Sequence, residues 1–454
     1  MIEGSTAADG IEGQARTLLM FAYYFPPCNC WPTASERSLG FARGLAELGW
    51  RPVVVTRSLA AGLCRCMPDP QDRDPYRGFP QDAVHALMLT PRSRSTGPRQ
   101  DTGPIGRVRS RADIYRRSLA DVRHLETSSD WVPRAIEEGE AILVDRHVAA
   151  VWTTSGPMSS IAIGHHFKRA HGTPWIADIR DSFRGKYFRP GLDVSIKRRL
   201  RYRKALYAVR PLNQADARVY VSEGEARSDE GLFESTPHAI ESGFDLHTWQ
   251  SLHTDPSPSH SGGPVRVLFA GRVYPERTGY DTFFEGVRLF RERQTAGPAV
   301  DVTYLGSSPE HFTRSAERHG VSDTVTLGGR VALERSRRSM MEADVLLLVT
   351  ASGASGMPGG KLYEYAAAGP PILAVPGDDD FVSSLILDAG IGECASSAAE
   401  VAAVLERVRS GALTRGSWAE RSQRLAELSW ERRAWKLSQL VGQIRETQGE
   451  AQPA

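Results

Sequence analysis

The chain has 454 residues, 41% apolar residues, 24% charged residues and a net charge of +2. That length predicts two domains, each large enough to bury its own core. The near-neutral balance excludes a global drive toward nucleic acid, and no apolar run approaches the roughly 18–20 residues that span a bilayer.

Residues 1–16 are acidic and glycine-rich, without the apolar centre of a signal peptide, and are expected to be a frayed start to a cytoplasmic protein. Leu18–Phe25 reads as a strand closed by Pro26-Pro27. Helical spacing of Leu39, Ala42, Leu45, Ala46 and Leu48 predicts a helix from Ser35 to Gly49, with the glycine as its stop. Pro52–Thr56 is the next strand, so the chain opens with a β-loop-α-β unit of a doubly wound sheet. Residues 93–112 read as a long loop. Val148–Thr154, Trp175–Asp178 and Arg218–Val221 read as further strands with helices between them.

His253–Pro264 is rich in Pro, Ser and Gly and reads as a linker. Beyond it the same pattern restarts. Strands are predicted at Val265–Phe269, Val300–Leu305, Val325–Leu327 and Ala343–Thr350. The last is the mostly apolar run of a buried parallel strand. Helices are predicted at Asp281–Glu292, Ala398–Arg409 and Ser429–Ile444. The expected organisation is 1–16 as a disordered start, 17–252 as a first α/β domain, 253–264 as linker, 265–428 as a second α/β domain and 429–446 as a closing helix. Two such α/β domains enclose a cleft between the C-terminal ends of their sheets.

The segment Gly359–Leu373 is the most informative. It reads as a glycine loop, a short helix with Lys361 and Glu364 one turn apart, a stop at Gly369, and a buried strand. A helix N-terminus offers unpaired N–H groups and a positive dipole end to a phosphate. Lys361 adds a cation there, in a chain with only six lysines. Gly359 and Gly360 permit close approach, and Glu364 on the same face is placed to accept from a sugar hydroxyl. An anion site beside a hydroxyl acceptor points to a nucleotide or sugar-phosphate ligand.

The five cysteines, Cys28, Cys30, Cys64, Cys66 and Cys394, are read as reduced thiols, because C-x-C spacing is tight for two ligands of one tetrahedral ion. Asp378, Asp379 and Asp380 contain a D-x-D but read as a loop. His165 and His166 are expected to be surface or packing residues. Residues 195–206 form a basic amphipathic stretch, which reads either as a peripheral membrane contact or as a solvated face; nucleic-acid binding is not expected, since no aromatic platform accompanies the charge.

Taken together, these pieces resemble the GT-B glycosyltransferases, specifically the retaining family 4, over roughly Leu18 to Val441. The resemblance rests on Tyr24-Phe25-Pro26-Pro27, Ser155-Gly156-Pro157, Asp178-Ile179-Arg180-Asp181, Gly243-Phe244-Asp245, Gly271-Arg272 with Tyr274 and Arg277, Gly328-Gly329, Ala343-Asp344-Val345-Leu346, Gly360–Tyr365 and Ser429-Trp430-Glu431. It departs from the family at Cys28–Pro32, which lacks a glycine-rich loop, at Gly356, where the first of two glutamates eight residues apart would stand, and at Ser242 in place of an asparagine.

The resemblance implies a GT-B fold of two Rossmann-like domains. It implies transfer of a hexose-type sugar, with retention, from a nucleotide-diphosphate sugar to a hydroxyl acceptor such as a glycan, a lipid-linked saccharide or a secondary metabolite. It implies no metal or other cofactor and a front-face mechanism. Arg277 and Lys361 are expected to stabilise the departing diphosphate, with Asp181 a third catalytic candidate. Arg272, Gly359, Gly360 and Glu364 are expected to bind donor. Asp178 and Arg180 are expected on the acceptor side; alternatively Arg180 pairs internally with an aspartate. Two other readings of the whole chain are a nucleotide-sugar epimerase of the same fold and a non-catalytic nucleotide-sugar-binding protein.

Overall fold

The computed structural model describes residues 16–26, 32–57, 83–87, 131–184, 206, 209–253, 263–275, 277–293, 299–350, 359–377, 381–414 and 417–449. Four of the five cysteines, the loop 93–112, most of the basic stretch 195–206, the linker interior and Asp378–Asp380 lie outside them.

The first half runs β1 (Thr17–Phe21), α1 (Pro32–Glu47), β2 (Arg51–Arg57), β3 (Val84–Leu87), α2 (Trp131–Asp145), β4 (Val148–Thr154), α3 (Ser160–His171), β5 (Trp175–Ile179), β6 (Ala217–Tyr220), α4 (Glu223–Ser228), β7 (Pro237–Ala239) and α5 (Leu246–Leu252). Its seven strands pair in parallel in the order β3-β2-β1-β4-β5-β6-β7. The first strand stops at Phe21, short of the expected Phe25; Tyr23 turns out to meet Tyr24 and Trp131 edge-on, at 5.0 and 5.4 Å between ring centres. Leu48 falls beyond the end of α1 and is 43% exposed, so it does not belong to the helix's buried face.

The second half runs β8 (Val265–Ala270), α6 (Gly279–Glu292), β9 (Val300–Leu305), α7 (Glu310–Arg318), β10 (Val325–Leu327), α8 (Leu333–Glu342), β11 (Val345–Val349), α9 (Gly360–Ala368), β12 (Ile372–Val375), α10 (Phe381–Asp388), β13 (Gly392–Cys394), α11 (Ala398–Arg409), α12 (Trp418–Leu425) and α13 (Trp430–Thr447). Its six parallel strands take the order β10-β9-β8-β11-β12-β13. All five residues of β11 are buried, as a parallel strand covered on both faces requires. Tyr280, Phe283, Phe284, Val287 and Phe290 form the buried side of α6 and pack on that sheet. Both orders reverse direction beside the first strand of their half, between β1 and β4 and between β8 and β11. Ligands of open α/β sheets bind beyond the strand ends at such switch points.

The last helix returns to the first domain. Trp430, Ala434, Leu437, Leu440, Val441 and Ile444 join the core that holds Leu18, Met20, Phe41 and Leu45. Glycines make the approach possible: a Cβ on Gly40 would fall 2.2 Å from Trp430 Cδ2, and one on Gly44 2.6 Å from Ala434 Cβ. The start of this helix is tied down by the turn at Gly243-Phe244-Asp245. The Phe244 N–H donates to the Leu428 carbonyl at 3.2 Å, and the Trp430 N–H donates to the Phe244 carbonyl at 3.0 Å. Ser429 then caps the helix by accepting from the Arg432 N–H. Among the described residues no helix is long and apolar enough to cross a membrane.

Candidate active site

The second sheet's switch point gathers the predicted cations. Lys361 is the second residue of α9, whose N-cap is Gly359, in extended conformation with no side-chain cap. Gly359 is exposed, and among the described residues nothing lies within 4 Å of a Cβ position on it. The Lys361 side chain lies back over the end of β8. Its Nζ sits 4.2 Å from the centre of the Phe269 ring. Gly271, which follows β8 with φ +124°, leaves the space that the Lys361 Cε and Nζ occupy.

Arg277 approaches from the loop after β8. Its guanidinium lies 4.4 Å from the Tyr274 ring centre and donates to the carbonyl of Val349, the last residue of β11. Arg272 is exposed and lies 5.5 Å from the centre of the same Tyr274 ring. Among the described residues none of Lys361, Arg277 and Arg272 forms an ion pair with a carboxylate. Burial lowers the Lys361 pKa from 10.5 to about 7, and the neighbouring Arg277 charge adds to the drop. Two cations held together without a counter-charge, at a helix N-terminus, form a site for an anion.

Glu364 is placed differently from the sequence expectation of an open acceptor. Both its oxygens accept from Arg337 of α8, at 2.9 Å from Nε and 3.1 Å from Nη2. Arg337 in turn lies 5.6 Å from the Trp249 ring centre. Burial disfavours the Arg337 charge, but the Glu364 carboxylate more than offsets this and holds its pKa above the ordinary value. Across the crevice, Glu36 in the first turns of α1 faces this ion pair. Its pKa is raised from 4.5 to about 7, first by burial and then by the Glu364 charge, with Arg337 and Arg180 pulling the other way.

On the first-domain side Asp178 is 1% exposed and fully engaged. Arg37 Nε lies 3.0 and 3.2 Å from its two oxygens, Arg37 Nη2 lies 2.6 Å from Oδ1, and Thr154 Oγ1 donates to Oδ2 at 2.8 Å. Arg37 Nη2 also donates to the Ile240 carbonyl at 2.9 Å. Asp178 is thus held in an internal ion pair with Arg37. Arg180 follows β5, with its N–H on Ser155 Oγ at 2.9 Å and its Nη1 3.7 Å from a Cβ position on Gly156. Burial lowers its pKa, opposed by the charges of Asp181 and Asp178. Asp181 is exposed.

The structure therefore brings Lys361, Arg277, Gly271 and the start of α9 together at one switch point. It sets Arg180 and Asp181 at the end of β5 and leaves Asp178 inside the fold. Sequence reasoning missed Glu36, Arg37 and Arg337. A signal existed for Arg37, which stands at i−4 and i−8 from Phe41 and Leu45 on the buried face of α1, where a charge demands a partner. No periodicity links Arg337 to a glutamate in a different helix.

Residues 264–408 match the family described as Glycosyl transferases group 1. No curated protein sequence matches the chain. Among solved structures, sucrose-phosphate synthase from Thermosynechococcus elongatus superposes with a TM-score of 0.58 at 15% identity, covering 95% of this chain and 100% of the other. The α,α-trehalose 6-phosphate synthase of Burkholderia multivorans gives 0.56 at 12% identity, covering 97% and 99%. An E. coli structure described as trehalose-6-phosphate bound with UDP-2-fluoro glucose gives 0.55 at 12%, covering 94% and 99%. The fold is GT-B, with two Rossmann-like domains. The second half carries a glycosyltransferase domain, and the class of activity is glycosyl transfer.

Proposed function

We propose that the chain is a retaining glycosyltransferase that moves a hexose-type sugar from a nucleoside-diphosphate sugar to a hydroxyl acceptor. The observation that carries this reading is the Lys361–Arg277 pair, which has no carboxylate partner among the described residues and lies at the start of α9, whose N-cap Gly359 is exposed and carries no side-chain cap. A diphosphate leaving group supplies the two negative charges such a pair lacks. As the sugar–oxygen bond breaks, charge grows on the diphosphate, and fixed cations with a helix dipole stabilise it without reorganising.

Gly359 and Gly360 let the phosphates approach the backbone of α9. Glu364, held by Arg337, presents its carboxylate to hydroxyls of the ribose or donor sugar. Arg272 flanks the same site from the exposed side. Arg180 and Asp181, at the end of β5, meet the acceptor. Asp178 acts through the fold beneath them. The UDP-2-fluoro glucose of the E. coli neighbour supplies the first donor class to test.

The test is a thermal-shift screen against uridine, guanosine and adenosine diphosphate sugars. A ligand at one hundred times its Kd stabilises the folded state by about 2.7 kcal/mol. One donor should raise the melting temperature, and Lys361→Ala should abolish the shift while lowering turnover by about 10²–10³-fold. No shift with any of these compounds sinks the donor site. Retention is read from the anomeric configuration of the first-formed product. Peripheral membrane contact through residues 195–206 is tested by sedimentation with anionic vesicles.

A further inference from the structure

Away from the crevice, three side chains have the composition of a metal centre. Glu140 on α2 faces His166 and His171 on α3. Its Oε1 lies 2.6 Å from His166 Nε2 and 2.9 Å from His171 Nε2, and its Oε2 lies 2.8 Å from His171 Nε2. The ligating atoms of all three lie within 4.8 Å of one another.

The packing of the two helices builds this convergence. A Cβ on Gly139 would fall 2.5 Å from Phe167 Cζ and 2.7 Å from Phe21 Cζ, so only glycine lets α2 come this close to α3. The neighbouring Glu140 is carried to the seam by that approach. Phe167 stacks on Phe21 at 5.3 Å between ring centres, and His171 lies over Phe167 at 5.9 Å. Gly172, with φ +69°, ends α3 immediately after His171. Lys168, on the same helix, is paired with Asp216 at 2.7 Å.

Two imidazoles and one carboxylate suit a borderline ion such as Zn²⁺, which leaves a fourth position for water. Metal–nitrogen bonds of about 2.0–2.1 Å and metal–oxygen bonds of about 2.0–2.2 Å require donor atoms about 3.3 Å apart. Glu140 reaches that spacing from either histidine by a shift of less than an ångström, which partly exposed groups on a helix seam can make. Each ring moves its proton to Nδ1 and turns the Nε2 lone pair to the ion.

We infer that Glu140, His166 and His171 bind one divalent transition-metal ion of the Zn²⁺ class. The ion staples α2 to α3. Because α3 begins at the crevice end of β4 and His171 is its last residue, the site lies at the far edge of the domain, so the staple is structural and takes no part in sugar transfer.

The full chain, stripped with a chelator, is titrated with Co²⁺ and followed by visible absorption, with bound ion counted by equilibrium dialysis. The wild type should hold one more ion per chain than His166→Ala, His171→Ala or Glu140→Gln, in a spectrum without thiolate charge-transfer bands from that ion. Zn²⁺ should raise the melting temperature of the wild type and not of these variants. His247→Ala removes the imidazole of the other group of this kind, Glu47–His247–Glu431, and should retain the ion. Glu140→Gln keeps the size of the side chain, and its metal-free melting temperature, close to wild type, reports an intact fold. Equal binding by the wild type and a folded Glu140→Gln or His166→Ala protein overturns the proposal, as does no bound Co²⁺ in the wild type.

Discussion

The Lys361 side chain occupies the space that a Cβ on Gly271 would need. That Cβ would fall 2.0 Å from Lys361 Cε and 2.3 Å from Nζ. The glycine is required twice over, because its φ of +124° is also one that other residues rarely adopt. A turn after one strand thus determines where a cation from a helix some ninety residues later can rest.

Gly271→Ala should therefore act as a binding mutation as well as a stability mutation. The backbone strain costs about 1–3 kcal/mol. The displaced ammonium leaves the Phe269 face and the first turn of α9. Thermal melts with and without the donor identified in the screen check both parts. A variant that loses stability yet keeps the full ligand shift contradicts the placement of Lys361.

Protonation of Lys361 gives donor binding a pH signature. In the free protein its pKa is about 7, against 10.5 unfolded. A bound diphosphate returns it toward the ordinary value, so binding above pH 7 takes up a proton. Affinity should be level below pH 7 and fall by up to about tenfold per unit above it. Calorimetry in buffers of different ionisation enthalpy measures the uptake. For the unliganded protein the sign is opposite: the unfolded chain binds more protons between pH 7 and 10.5, so this group's contribution makes stability rise with pH there.

Breaking the Arg37–Asp178 pair should unfold the first domain before it reveals anything about catalysis. Both side chains are within a few per cent of full burial. Arg37→Ala leaves a buried carboxylate without its partner, a loss of about 3–5 kcal/mol. Chemical denaturation reads this directly. A stable Arg37→Ala protein with impaired turnover would instead put Asp178 in contact with a reactant.

The carboxyl of Glu36 should make stability fall as pH rises. Its folded pKa of about 7 lies above the ordinary 4.5, so between those values the native state binds more protons than the unfolded one. Glu36→Gln should flatten the pH dependence in that window and stabilise the protein at pH 8. Denaturation midpoints at pH 5.5 and 8 for the two proteins decide it. An unchanged slope would mean that the Glu36 carboxyl is not buried beside Glu364 in solution.

Local signals explain what was legible beforehand. The apolar run Val345–Val349 announces a buried parallel strand because covered sheets admit little else. The stop at Gly369 announces a helix end, because the orphan groups there need specific partners. The short edge strands β3, β7 and β13 carry weaker patterns and were not legible. Lys361 could be singled out by residue type at a predicted helix start, whereas Gly271 and Arg277 entered only through the resemblance to the GT-B family.

The amino-acid order alone was enough for two α/β halves, a phosphate-sized helix start and the residue types able to meet an anion, since propensity and periodicity act over a few residues. Which charges neutralise one another depended on the tertiary structure. It gave Asp178 to Arg37 and Glu364 to Arg337, and left Lys361 with Arg277 as its charged neighbour. Coulombic pairing acts through space between segments far apart in the chain, and only folding brings those segments within reach.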